Sequence, residues 1–235
     1  MTKNSKKARD YAALLRSGRW FGGLAETSRD ELLAIAIVRT LAPEEALFLR
    51  GAEPDGLYAV VDGSIRIAGR SDSGKEVLLT VLDPPAWFGE IAVFDGSART
   101  HDAIAQVAST VVRVPQLALL ALLDAKPERW RDLGLLLATK MRLLFSTVED
   151  TLALPLRIQL ARRLLGLARV HGEWDDKSRR VLSVGQEQLA TMLGTSRQTV
   201  NTILKELAAK GLLRASYGQI ELLDLDGLRD VAEEA

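Results

Sequence analysis

The apolar residues of this chain change their period at Pro115, and the new pattern is interrupted again at Pro155. From about Arg39 to Val114 they come in short alternating runs cut by turn signals. LYAVVDGSIRIAG holds two such runs on either side of Asp62-Gly63, a hairpin signal. SDSGKEVLLTVLDPP is a turn followed by a strand that stops at Pro84-Pro85, and AIAQVASTVVRVP closes the set. Side chains alternate across a strand, so a period of two marks strands. Many short strands at near-regular spacing predict a sandwich or barrel, and a small barrel can contain one ligand.

Beyond Pro115 the period is helical. Leu133, Leu137, Lys140, Leu144, Val148 and Thr151 step by threes and fours, a narrow seam of the kind that pairs a long helix with its twin in a symmetric dimer. Pro155, in ALPLR, predicts a hinge or helix break near Ala153 to Leu156. The rest of the chain reads as a helix (RIQLARRLLGLARVHG), a polar loop (EWDDKSRR), two short helices, a hairpin and a final helix.

Composition narrows the chemistry. Of 235 residues, 31 are Lys or Arg and 31 are Asp or Glu, so the net charge is zero and a generic nucleic-acid coat is disfavoured. From Arg157 to Glu221, however, eleven Lys/Arg face six Asp/Glu, a local excess of the kind a phosphate-contacting surface uses. There is no cysteine, hence no disulfide or thiolate metal site, and the two histidines, His101 and His171, are far apart in sequence. Neither a nucleophile–His–acid set nor a Walker-type glycine loop is present, which disfavours an enzyme. No apolar run reaches the ~18 residues of a membrane span. The basic start, MTKNSKKARDYAALLRSG, lacks the apolar core of a secretion signal, so a cytoplasmic protein is expected.

Two stretches carry candidate sites. In GQEQLATMLGTSRQTVNTILKELAAKG, Leu189, Ala190 and Leu193 share one face of a first helix. Gly194 suits a turn of positive φ, and Ser196 suits the cap of a second helix whose buried face is Val200, Ile203, Leu204 and Leu207. These are the constraints of a helix-turn-helix, with the second helix in the DNA major groove. Ser196, Arg197, Gln198, Thr199, Asn201 and Thr202 fall at or near its exposed start as candidate DNA contacts. Arg suits guanine and Gln or Asn suits adenine, whereas Lys205 suits phosphate. Two short strands flanking Tyr217-Gly218 add a wing from which Arg214 and Tyr217 reach the DNA backbone. The other stretch is WFGEIAVFDGSART, where a Gly-Glu pair is followed ten residues after the glycine by Arg99-Thr100.

Together DGLYAVVDGSIRIAG, FGEIAVFDGSART, LATMLGTSRQTVNTILKELAAKGLL and YGQIELLDLDGL resemble the cyclic-AMP receptor protein/FNR family of bacterial transcription regulators, from about Phe21 onward. The resemblance implies an α+β fold. An N-terminal extension (1–20) leads into a jelly-roll-like cyclic-nucleotide-binding β-roll (21–125). A long dimerisation helix (126–154) and a winged helix-turn-helix (155–235) follow. It implies cyclic AMP or cyclic GMP as allosteric effector, with no other cofactor and no metal. Arg99 and Thr100 would meet the cyclic phosphate, and Glu90 the ribose 2′-hydroxyl. Gly89 and the backbone at Ile91 and Ala92 would close on the sugar and phosphate. Base recognition in the family draws on hydroxyls of the long helix, for which Ser146 and Thr147 are the candidates, with Thr139 further back. Ungapped alignment instead puts Leu144 and Phe145 at the family's usual positions, so base identity stays open. Ala98 replaces a frequent proline, which leaves the loop less pre-set, and His101 and Asp102 replace a small residue and a hydroxyl. His101 reads as a strand residue with a local partner. Implied partners are palindromic DNA, a second copy of the chain and RNA polymerase, with no membrane. The alternative is the same fold triggered by cyclic di-GMP, or active without ligand.

Overall fold

The computed structural model describes residues 7–70, 76–170, 181–216 and 218–234. The chain divides into two compact units. One holds the residues through Gly69 and those from Leu82 to Met141. The other holds 70–81, 142–170 and the C-terminal region.

The first unit opens with a single 3₁₀ turn (Ala8–Tyr11) and three helices, α1 (Ala12–Arg16), α2 (Arg19–Gly22) and α3 (Glu26–Ile35). Six strands follow along the chain: β1 (Ile37–Leu41), β2 (Ala46–Phe48), β3 (Gly56–Asp62), β4 (Ile65–Arg70), β5 (Glu76–Leu82) and β6 (Trp87–Phe88), of which β5 groups with the second unit as far as Val81. A short helix α4 (Ile91–Asp95), strands β7 (Asp102–Ala105) and β8 (Ser109–Pro115), and helix α5 (Gln116–Ala125) complete it, with the start of α6 (Arg129–Ala153). One antiparallel sheet runs β1-β8-β3-β6, and β2, β7 and β4 pair in that order in another.

β3 explains how these layers stack. Leu57, Ala59 and Val61 enter a core shared with Leu15, Phe21, Leu33, Leu119 and Leu133, which lie in the helical layer. Tyr58 and Val60 point the opposite way, into a core with Leu47, Ile65, Phe88, Ala103 and Ala105 of the roll. A strand buried on both faces reads as a continuous apolar run, as LYAVV does.

Two expectations need correction. Asp62-Gly63 does not close a hairpin, because β3 and β4 belong to different sheets. The turn carries the chain from one layer to the other. Gly63 has φ +74°, and a Cβ there would lie 2.5 Å from the Ala108 carbonyl oxygen, so only glycine fits the crossing. The first twenty residues are also more than an extension: Ala8 and Leu15 are buried in the helical core, and the Trp20 indole donates to the Asp132 carbonyl at 2.6 Å.

The second unit contains the remainder of α6, then α7 (Leu156–Val170), β9 (Val181–Leu182), α8 (Gln186–Met192), α9 (Arg197–Ala209), β10 (Leu213–Ser216), β11 (Gln219–Leu222) and α10 (Leu225–Glu233). Its sheet runs β10-β11-β9. Leu160, Leu164, Leu189, Val200, Leu204, Leu207, Leu222 and Leu228 make one core. The helix break falls at Leu154-Pro155, between α6 and α7, where the Gln159 amide donates to the Leu154 carbonyl at 2.7 Å.

The α6 seam differs in detail from its sequence reading. Leu133 is buried in the helical core, and Lys140 is held by a carboxylate described below. The exposed apolar line is instead Met141, Phe145, Val148 and Leu152, at steps of four, three and four, with Leu144 beside it.

Candidate functional site

The Gly-Glu pair opens α4. Gly89 has φ +93°, and a Cβ on it would stand 2.9 Å from Nη1 of Arg99. Glycine therefore serves two needs at this position, a left-handed backbone and room for the guanidinium. Gly96, at φ +63°, ends the helix. The chain then returns to Arg99, whose backbone N–H donates to the Ala52 carbonyl and whose carbonyl accepts from Gly51, both at 2.8 Å.

Arg99 is 4% exposed. Its Nη1 donates to the Gly89 carbonyl at 3.1 Å. Nη2 donates to Asp55 Oδ1 at 2.8 Å and to the Gly56 carbonyl at 2.7 Å. The guanidinium carbon lies 4.3 Å from the Phe48 ring centre, over its face. Nε is buried with no partner among the described residues.

Asp55 is the hub. Besides Arg99 it accepts from Arg113 Nη1 at 3.2 Å and from the Tyr58 hydroxyl. Burial alone would raise the Asp55 carboxyl, but the Tyr58 hydroxyl, Arg99 and Arg113 outweigh it and hold the group below its ordinary value. Burial first, and then the Asp55 carboxylate, push the Tyr58 phenol up.

Glu90 is 2% exposed and accepts from Lys140 Nζ at 2.6 Å. The two charges of this stretch, the cassette of residues 89–100, thus do not pair with each other. Each is matched by a different side chain, Arg99 by Asp55 and Glu90 by Lys140. Ile91 is exposed and Ala92 buried, with the Ala92 carbonyl accepting from the Gln116 amide at 3.3 Å. Thr100 is exposed, and its hydroxyl lies 2.9 Å from Nδ1 of His101, the local partner expected for that histidine. Burial first, and then Arg50, lower the His101 pKa against the opposing pull of Asp102.

Sequence reasoning missed Asp55, Arg113 and Tyr58, and it placed Lys140 only in the seam. Asp55 sits in EPDGLY and passes for a turn former. Arg113 meets Tyr58 only through the β3–β8 register. A lysine among the leucines of α6 was the one available signal. Ser146 and Thr147 lie on α6 beyond Met141, in the stretch that groups with the second unit. Ser146 is exposed, and the Thr147 hydroxyl donates to the Leu143 carbonyl at 2.9 Å.

In the second unit, Gly194 takes φ +61° between α8 and α9. Ser196 caps α9, its hydroxyl accepting from the Thr199 N–H at 3.1 Å and lying 2.7 Å from the Thr199 hydroxyl. Both of these candidate DNA-contacting hydroxyls therefore also hold the helix start. Arg197, Gln198, Thr202 and Lys205 are exposed, Asn201 is half-buried, and Val200, Ile203, Leu204 and Leu207 are buried as expected. Neither Arg197 nor Lys205 makes an ion pair among the described residues. Other cations of the basic stretch are matched: Arg157 by Glu234, Arg162 by Asp150, and Arg214 by Glu221 across the β10–β11 pair. Arg163, its pKa lowered by burial, donates to the Leu79 carbonyl. Arg214 is thus committed within the wing. Tyr217 and residues 171–180, including His171, fall outside the described residues.

Both regions match known protein domains. Residues 38–126 match the model of the cyclic nucleotide-binding domain, and residues 158–231 match that of the Crp-like helix-turn-helix domain. The transcriptional regulator SdrP of Thermus thermophilus is 31% identical, over 76% of this chain and 85% of its own. A CRP-like cAMP-activated global transcriptional regulator of Mycobacterium tuberculosis is 29% identical, over 82% and 89%. The crystal structure of a CRP/FNR-family regulator from Thermus thermophilus covers 84% of this chain and 98% of its own, with TM-score 0.64 and 27% identity. No described helix is long and apolar enough to cross a membrane. With a cyclic nucleotide-binding domain ahead of a Crp-like helix-turn-helix, the chain belongs to the CRP/FNR family of transcription regulators.

Proposed function

We propose that this regulator is a homodimer switched by cyclic AMP or cyclic GMP, the phosphate held by Arg99 and Thr100 and the ribose by Glu90. One observation carries the reading. Two guanidinium groups, Arg99 and Arg113, surround one carboxylate, Asp55, and Arg99 keeps a buried Nε–H without an acceptor. An unsatisfied buried donor costs about 1–3 kcal/mol. An anion bound there supplies both the missing charge and the missing acceptor. The relative from Mycobacterium tuberculosis is described as cAMP-activated, which supports the same class of effector. Base recognition is assigned to the hydroxyls of Ser146 and Thr147, as the resemblance implies.

Dimerisation is assigned to Met141, Phe145, Val148 and Leu152, which are 40%, 60%, 46% and 82% exposed along one line of α6. A twofold dimer presents two α9 helices to a palindrome whose half-site centres are about 34–36 Å apart or a multiple of that. Ligand shifts the DNA-competent population only by binding that state more tightly. RNA polymerase is the partner that would read the bound dimer. Sedimentation of Phe145→Glu, expected to be monomeric, checks the interface.

A second reading has its own observation: Asp55 and Lys140 already match both cassette charges. That arrangement suits a regulator with another trigger, such as cyclic di-GMP, or one active without ligand. Calorimetry of the full chain with cyclic AMP, cyclic GMP and cyclic di-GMP separates the two. The first reading expects one of the two mononucleotides to bind and Arg99→Ala to weaken it about 100-fold, the loss of a charge-assisted pair of bonds. If Arg99→Ala leaves every titration unchanged, the cassette is not the binding site.

A further inference from the structure

We propose that Asp55 is a built-in competitor of the ligand: it occupies the phosphate's place on Arg99 and thereby sets the concentration at which the regulator responds. The inference rests on the cyclic-nucleotide reading of the cassette.

Guanidinium geometry limits what Arg99 can hold at one time. Two edges of the group can hold a pair of oxygens in parallel, Nε with Nη2 and Nη1 with Nη2. Both edges use Nη2. Both Nη2 protons are engaged within the chain, one by Asp55 Oδ1 at 2.8 Å and one by the Gly56 carbonyl at 2.7 Å. The bidentate grip on a phosphate is therefore blocked until one of these acceptors leaves. Gly56 is fixed at the start of β3, where it is paired in register with Pro115 of β8, and a Cβ on it would stand 2.2 Å from the Val114 carbonyl oxygen. Asp55 is the movable one. Its side chain is 37% exposed, against 3% for Arg99.

The chemistry of the exchange is favourable on both sides. Asp55 and a cyclic phosphate are each monoanions with two oxygens to present, so the ligand replaces like with like on Arg99. Asp55 is not orphaned when it lets go, because Arg113 Nη1 and the Tyr58 hydroxyl still donate to it. Nε, which has no acceptor in the closed arrangement, gains one. A carboxylate in this position does not abolish binding; it lowers the fraction of molecules whose Arg99 is free, and apparent affinity falls by that fraction.

The test titrates cyclic AMP and cyclic GMP by calorimetry into the full-length wild type, Asp55→Asn, Asp55→Ser and Arg99→Ala, each with its fold checked by circular dichroism. Asn keeps the size and one acceptor oxygen while removing the charge, and Ser removes the carboxylate by shortening. Both are expected to bind about three- to tenfold more tightly than wild type, the gain from freeing a group that is otherwise available in a minor fraction of molecules, and Arg99→Ala is expected to bind about 100-fold more weakly, below what the titration detects. Binding by Asp55→Asn where the wild type shows none would be the strongest support. Affinity equal to or below wild type in both Asp55 variants, with binding still lost in Arg99→Ala, overturns the competitor and leaves the cassette reading standing. If neither the wild type nor the Asp55 variants bind either nucleotide, the cassette reading falls and the competitor falls with it.

Discussion

The sensor cassette and the recognition helix both carry charge, and they manage it in opposite ways. Arg99 and Glu90 are 4% and 2% exposed, and each has an internal counter-ion. Arg197 and Lys205 stand in solvent and form no ion pair among the described residues. The difference follows from the cost of desolvation. A buried charge needs a partner while the ligand is away, because leaving it unpaired destabilises the fold by several kcal/mol. A charge in water can wait for DNA phosphate or guanine at no such cost. On the proposed reading, a ligand entering the cassette exchanges with protein groups, whereas DNA meeting α9 displaces only water and counterions.

The comparison makes the cassette's charges matter for stability and the helix's charges matter for binding. Lys140→Met should be the largest effect, leaving the Glu90 carboxylate buried without its partner and lowering the unfolding free energy by about 3 kcal/mol; urea denaturation reads this. A loss below about 0.5 kcal/mol would remove the contrast on which the comparison stands. Arg197→Ala should leave the melting temperature unchanged and weaken the matched operator by about 1–3 kcal/mol while barely touching a scrambled duplex. Equal losses on both duplexes in gel-shift titrations would turn Arg197 into a phosphate contact. Lys205→Ala, by contrast, should weaken all sequences alike and reduce the salt slope by about one. Ser196→Ala sits between the two regimes. Losing the α9 cap should cost about 1 kcal/mol of stability in a denaturation curve, even though the residue is exposed.

The smallest effect is that of pH on His101. Its pKa is lowered in the folded chain, first by burial and then by Arg50. A histidine depressed by folding contributes stability that is complete above its unfolded value, ordinarily 6.5, and is lost as pH falls through that value toward the folded one. The melting temperature should therefore decline between neutral pH and pH ~5 more in wild type than in His101→Gln. Identical slopes would leave the histidine without a role in stability.

The architecture was legible because periodicity survives in a single sequence. The buried face of α9, Val200, Ile203, Leu204 and Leu207, follows from helical spacing alone, and Gly194 and Ser196 mark the turn and the cap without any tertiary knowledge. Gly89, Glu90 and Arg99 were legible as a spaced set. Their partners were not. Asp55 reaches Arg99 across 44 positions and Lys140 reaches Glu90 across 50, so each pairing depends on how strands and helices stack. The Asp62-Gly63 turn misled for the same reason: dipeptide chemistry reports a tight turn, and only the layer arrangement decides whether the next strand pairs with the previous one or crosses to the other sheet.

β3 has a mechanical consequence. The strand is a partition wall with furniture fixed to both sides: Tyr58 belongs to the roll, and Leu57 and Ala59 belong to the helical layer. Such a wall cannot bow toward one room without pulling on the other, since close-packed interiors transmit strain instead of absorbing it. The strand thus ties the roll core around Tyr58 to the helical core of Leu119 and Leu133, the latter at the root of the long helix.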